Sequence, residues 1–166
     1  MPLHLEDVDI IPEVEGLNSV LIVPCNMCAA TTVAINEEKP FLQLFKNFLT
    51  SAPFDQHIKR LQSRLKEKGV TSTVFKSNLP HQWFLCMCTQ GRRRKLQECT
   101  KQYDSAIVLG CDSAFETVRD AAKSTDCKVI EGMKIGGIAN ATLKFRLPGN
   151  ISFEDSKIVS ISHDNG

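Results

Sequence analysis

Three short stretches hold the residues best suited to chemistry. Cys25-Asn26-Met27-Cys28 sets two thiols in one turn, Leu85-Cys86-Met87-Cys88 sets two more, and Val108-Leu109-Gly110-Cys111 ends on a fifth. Cys-x-x-Cys lets two thiolates grip one metal ion. The same spacing also serves thiol–disulfide exchange, where a helix N-terminus stabilises the thiolate. Each stretch ends a run of strand-forming residues: 19–23, 82–87 and 105–109. In an open parallel sheet the C-terminal strand ends share one edge, the edge at which ligands bind. Thiols far apart in sequence would meet there, and an all-thiolate set suits zinc or an iron–sulfur cluster. The expected metal ligands are Cys25, Cys28, Cys88 and Cys111. Cys86, on the same side of its strand as Cys88, is the replacement for Cys88. The plainer alternative is that each thiol fills core space as a small hydrophobe, and this is the reading for Cys99 and Cys127.

Two other features lie near those strand ends. Arg92, Arg93 and Arg94 open a basic helix just after Cys88, either as a solvated face or as a site for an anion or a partner beside the thiolates. Gly132, Gly136 and Gly137 follow the fifth strand in a loop over residues 131–137, where bare backbone could approach a cofactor or a regulatory small molecule. This is not a dinucleotide fingerprint, since it lies outside the first βα turn. His4, His57, His81 and His163 lack ligand spacing; only His81, just ahead of the third strand, falls near the site.

Positioning these residues requires strands alternating with helices. Residues 19–23 are apolar in succession, as in a strand buried on both faces and hence central. A helix is expected from Cys28, and another over residues 39–49, where Phe41, Leu44, Phe45 and Phe48 share a face that is either core or a docking or homo-oligomer surface. Phe54, Ile58, Leu61 and Leu65 mark a third helix, stopped by Gly69. Strands follow at 71–75, 82–87, 105–109 and 128–130, with helices at 91–101 and from Asp112 or Ser113. The tail, 141–161, alternates as a pair of terminal strands, and residues 1–18 read as an N-terminal arm. The expectation is one three-layer α/β domain over 1–166, mainly parallel, with helices on both faces.

Composition narrows the function. With 20 basic against 19 acidic residues, nothing suggests a general nucleic-acid binder. No apolar run reaches the ~18–20 residues of a membrane-spanning helix. The acidic N-terminus lacks the pattern of a signal peptide, so a cytoplasmic location is expected. That compartment keeps thiols reduced, and seven cysteines then favour metal or redox chemistry over a disulfide scaffold.

The order of strand ends resembles the cysteine-rich domain found C-terminal to some methylenetetrahydrofolate reductases and as their small partner subunit in anaerobic one-carbon metabolism. Cys25 and Cys28, Cys88 or Cys86, Cys111, and the Glu131-Gly132-Met133 loop carry the resemblance, which spans residues 19–145. It implies an α/β domain holding zinc or an iron–sulfur cluster beside a protein partner in a folate or corrinoid methyl-transfer system. The chain lacks a convincing nucleophile–base pair or paired carboxylates. The expected role is therefore an accessory one, electron transfer or structural support. The alternative is a thiol–disulfide oxidoreductase with Cys25 attacking and Cys28 resolving.

Overall fold

A computed structural model describes residues 3–43, 51–76, 84–146 and 149–161. Its centre is built from the two most apolar runs. β2 (Ser19–Pro24) and β5 (Ser105–Leu109) are buried along nearly their whole length and pair in parallel from Val20↔Ser105 to Pro24↔Leu109. Val20, Leu21, Ile22 and Val23 are all but fully enclosed, and burying each contributes about 1.5–3 kcal/mol relative to water. That sum keeps β2 in the interior of the sheet, as its composition predicts. β4 (Thr71–Val74) flanks β2 and β6 (Lys128–Glu131) flanks β5, giving the parallel order β4-β2-β5-β6. The Asp104 carboxylate accepts the backbone N–H groups of Asn18 (2.8 Å) and Ser19 (2.9 Å), tying the starts of the two central strands together.

From β2 the chain runs outward through α2 (Cys28–Asn36) and α3 (Ala52–Glu67) to β4. It returns through α4 (Gln90–Thr100) to β5, then steps through α5 (Asp112–Ala122) to β6. Right-handed crossovers place the first pair of helices on one face and the second pair on the other; α2 packs on α3 and α4 on α5. The chain is thus α/β, with a mainly parallel sheet covered on both faces. On α3, Phe54, Ile58, Leu61 and Leu65 face the core, and Gly69, at φ 78°, ends the helix as its sequence predicts.

A second, antiparallel sheet covers the outer side of α2. Its order is β1-β7-β8-β3, from β1 (Leu3–Asp7), β7 (Met133–Arg146), β8 (Asn150–Ser160) and the short β3 (Leu42–Gln43). Residues Ala29 to Ile35 are consequently buried all round, which small side chains permit and long polar ones would not. Thr32 pins the two layers: its hydroxyl accepts the Leu5 N–H at 3.0 Å and donates to the Leu3 carbonyl at 3.3 Å. Among the described residues no helix is long and apolar enough to cross a membrane.

Four local expectations are corrected. The arm over residues 1–18 contains β1 and α1 (Ile11–Val14), because Leu5, Ile10 and Val14 enter the core and β1 pairs with β7. The helix expected over 39–49 begins instead with β3, where Phe41 packs its ring on Phe153 at 5.4 Å; residues 44–49 lie outside the described residues. The strand expected over 82–87 is a turn from Leu85 to Met87, with Gln82 and Trp83 outside the described residues. β2 and β5 already have both neighbours, and Leu85 is fully buried while Met87 is 72% exposed, so this run plugs the core rather than extending the sheet. The glycine loop over 131–137 is mostly strand: Gly136 and Gly137 lie within β7, which pairs with β1 and β8.

Candidate thiolate centre

The chain leaves β2 toward one side of the sheet and β5 toward the other, so a crevice opens where their C-terminal ends part. Cys25 is the first residue past β2, and its N–H bonds to the Leu109 carbonyl at 2.8 Å. Cys28 opens α2, and Cys111 is the N-cap of α5. Gly110 makes their approach possible. A Cβ at that position would lie 2.7 Å from the Cβ of Ala114 and 3.1 Å from that of Cys25. The turn over Leu85–Met87 then brings Cys86 alongside, with the Leu85 amide favouring the Cys25 thiolate.

All seven cysteines are thiols, and four of them, Cys25, Cys28, Cys86 and Cys111 from three chain segments, lie at this crevice. The Cys28 thiol, within hydrogen-bonding reach of Cys111, holds its own proton tightly, burial adding to the effect. The same proximity holds the Cys111 thiol down to about 6, with the amides of Ala114 and Ser113 at the start of α5 also favouring the anion. Burial pushes the Cys25 thiol up, and the neighbouring Cys86 and Cys111 push it further. Burial also raises Cys86, again with Cys111 adding to it. Cys86 is thus the member of its pair that responds to Cys111, while Cys88 stands near Arg92. Cys99 is partly buried against the core. Cys127 is buried just ahead of β6, at the end of the strand opposite the crevice, and desolvation pushes its thiol up to about 11.

The basic run divides. Arg92 turns inward and is only 4% exposed; it donates to the Phe84 carbonyl at 2.9 Å and lies over the Phe75 ring at 5.9 Å. Burial disfavours its cation, while thiolates at Cys88 and Cys25 favour it. It is therefore a buried positive charge next to a set of ionisable thiols, and it also holds the turn that carries Cys86. Arg93 pairs with Asp120 at 3.9 Å and Arg94 faces solvent. The three glycines face the protein's own atoms. A Cβ on Gly132 would meet Leu109 and Ile107 within 2.9 Å, one on Gly136 the Glu6 side chain, and one on Gly137 the Val159 carbonyl at 2.5 Å. His4 bonds to Asn36 and His57 to Asp7, away from the thiols, and His81 and His163 lie outside the described residues.

Two contributors escaped the sequence reading. The inward turn of Arg92 follows from Thr89, whose hydroxyl caps α4 on the Arg92 N–H and sets the helix phase. The cap residue was visible; the pocket for a guanidinium was not. Gly110 carries no local signal beyond its small size at a strand end.

The donor chemistry of this set fits a soft metal. Among the described residues, however, no group of three or more His, Cys, Asp and Glu side chains is placed to hold one ion. No family model, no curated protein and no solved structure matches this chain.

Proposed function

We propose that the chain is a cytoplasmic accessory protein that binds zinc or an iron–sulfur cluster through thiolates at the parting of β2 and β5. One observation carries this reading: Cys25, Cys28 and Cys111 stand at the exits of the two central strands, with Gly110 holding those exits close, at the sheet edge where α/β proteins bind ligands. Cys28 and Cys111 would be two of the ligands. Cys25 and Cys86 are best placed to complete four, with Cys88 the remaining candidate. Zinc would supply structural support, and a cluster would supply a one-electron store. In either case the protein's own part is electrostatic. Arg92 and the first-turn amides of α5 offset part of the negative charge that several thiolates accumulate, and burial of Cys25 limits access by water. The resemblance of the strand-end pattern to the cysteine-rich domain associated with methylenetetrahydrofolate reductases supports a partner protein in folate or corrinoid methyl transfer. Arg94, exposed, and Arg93, half-buried and paired with Asp120, are the basic residues of α4 that such a partner would meet.

Thiol–disulfide exchange started by Cys25 has less support, because an attacking thiol should be accessible and easily ionised. Cys25 is 1% exposed and its thiol is raised by burial.

The test is metal analysis with absorption spectra on protein purified without oxygen, followed by the single variants Cys25→Ser, Cys28→Ser, Cys86→Ser and Cys111→Ser. Sulfur-coordinated zinc or iron that is lost in these variants and kept in Cys99→Ser and Cys127→Ser is the expected result. Anaerobic protein that takes up neither metal, even on reconstitution, would overturn the proposal.

A further inference from the structure

A cleft of about 320 Å³ lies between α3 and the chain that links β1 to α1, and it contains none of the thiols. Ile107 and Leu109, which alternate onto one face of β5, close its bottom together with Gly132, the residue after β6. It thus sits toward the C-terminal ends of two parallel strands, where α/β proteins hold their ligands. A Cβ on Gly132 would lie 2.8 Å from the Leu109 side chain and 2.9 Å from that of Ile107, so bare backbone lets these two side chains form the floor. The Gly132 carbonyl accepts the Val8 N–H at 3.1 Å and fixes the facing wall, and Ile10 and Leu61 complete an apolar interior.

The rim is basic. His57, Arg60 and Arg64 reach it from successive turns of α3, and the one carboxylate among the described lining residues, Asp7, stands 3.5 Å from His57. His57 is itself held, its ring stacked on Phe54 at 6.2 Å. Both arginines can turn to a ligand with little loss. Arg64 pairs with Asp9 at 3.3 Å, but both side chains are more than half exposed, and pairs so exposed are weak. Arg60 pairs with Glu37, a carboxylate that Lys39 also holds at 2.8 Å, so Glu37 keeps a cation when Arg60 turns away.

We propose that this cleft binds a small organic acid: a carboxylate on a compact branched or single-ring apolar body. The body displaces water from the floor, and the carboxylate meets the planar donor forks of Arg60 and Arg64. A bare anion such as phosphate would leave the apolar floor unfilled. A neutral ligand would leave the guanidiniums without a counter-charge inside the cleft. The volume is near the lower end of the ~300–1,000 Å³ range of ligand sites, which limits the body to one ring or a short branched chain. Binding involves no covalent step and no metal, so this inference stands or falls apart from the metal reading.

The experiment titrates isotope-labelled wild-type protein with phenylacetate and follows the backbone amides by NMR. Saturable shifts centred on Val8, Ile10 and Gly132 are expected. Phenylacetamide, which keeps the ring and loses the charge, should bind about tenfold more weakly, and so should phenylacetate to Arg64→Gln. Arg119→Gln, an exposed change of the same kind on α5, should bind as the wild type does. The proposal is overturned by the absence of saturable shifts up to about 10 mM, or by shifts gathered away from Val8 and Gly132. Phenylacetamide or inorganic phosphate binding as tightly as phenylacetate, or wild-type affinity in Arg64→Gln, would overturn it as well.

Discussion

Replacing Gly110 by alanine tests whether the meeting of the two strand exits rests on a missing side chain. Gly110 has no positive φ, so the cost of Gly110→Ala is purely steric. The new methyl would lie 2.7 Å from the Ala114 Cβ and 3.1 Å from the Cys25 Cβ. Ordinary carbon contacts need about 3.5–4.0 Å, so something must move by roughly 1 Å. Neither neighbour has a flexible end that could give way: Ala114 is a fully buried methyl in the first turn of α5, and Cys25 is bonded through its N–H to β5. Overpacking of this kind costs about 1–3 kcal/mol. For a chain of 166 residues, at about 2–4 °C per kcal/mol, the melting temperature should fall by about 2–12 °C. The same shift would move the turn after β2 away from the turn after β5 and weaken metal uptake at the proposed centre. Gly91→Ala is the control. Gly91 lies in α4, and a Cβ there meets nothing within 4 Å, so a gain of about 0.4–1 kcal/mol is expected. Thermal unfolding followed by circular dichroism reads both. A Gly110→Ala protein that melts with the wild type would refute the reasoning.

The remaining predictions concern charge. Arg92→Leu leaves the Phe84 carbonyl without its donor and should destabilise the protein by about 1–3 kcal/mol in urea unfolding. It should also raise the apparent ionisation pH of the thiols in ultraviolet titration, and Arg92→Lys should recover the charge effect better than the packing. An unchanged thiol titration in Arg92→Leu would remove Arg92 from the centre. Cys111 ionises at about 6 in the folded chain against 9.0 ordinarily, so the unfolded state binds more protons between those values. Its stabilising contribution therefore grows as pH rises from about 6 to 9 and is lost as pH falls through about 6. Cys111→Ser should flatten this part of the stability profile, and a wild-type urea midpoint that does not rise across it would contradict the assignment. Cys127, raised to about 11, has the opposite sign: its contribution is complete below the ordinary value of 9.0 and is lost as pH rises through about 11. Cys127→Ala should reduce that alkaline loss, read by the same unfolding series.

The parallel core was legible because its information is local. Residues 19–23 and 105–109 are apolar in succession, Phe54, Ile58, Leu61 and Leu65 repeat at helical spacing, and Gly69 stands where α3 must stop. The convergence of Cys25, Cys28 and Cys111 followed from strand order alone. What stayed hidden depends on partners distant in the chain. Leu3 and Leu5 read as an arm because the strand that pairs with them lies beyond residue 132, and Gly136 and Gly137 read as a loop although their bareness lets β1 and β8 come close. Residues 82–87 carried a strand composition, but both strands at the centre of the sheet already had two neighbours. The expectation of Cys88 as the ligand rested on a strand running to its end there, and the turn found over Leu85–Met87 removes that reason.

The pairing of β1 with β7 has a consequence for the growing chain. β1 emerges from the ribosome first, yet its partner, from Met133 to Ile138, appears well over a hundred residues later. At roughly 5–20 residues per second, the first strand waits on the order of ten seconds for a neighbour. During that interval α2 can settle on the parallel sheet with one side, but its outer side, which β1 and β8 later cover, faces water. The nascent protein thus passes through a period in which an apolar helix with Cys28 at its head is uncovered, until segments more than a hundred residues downstream close it.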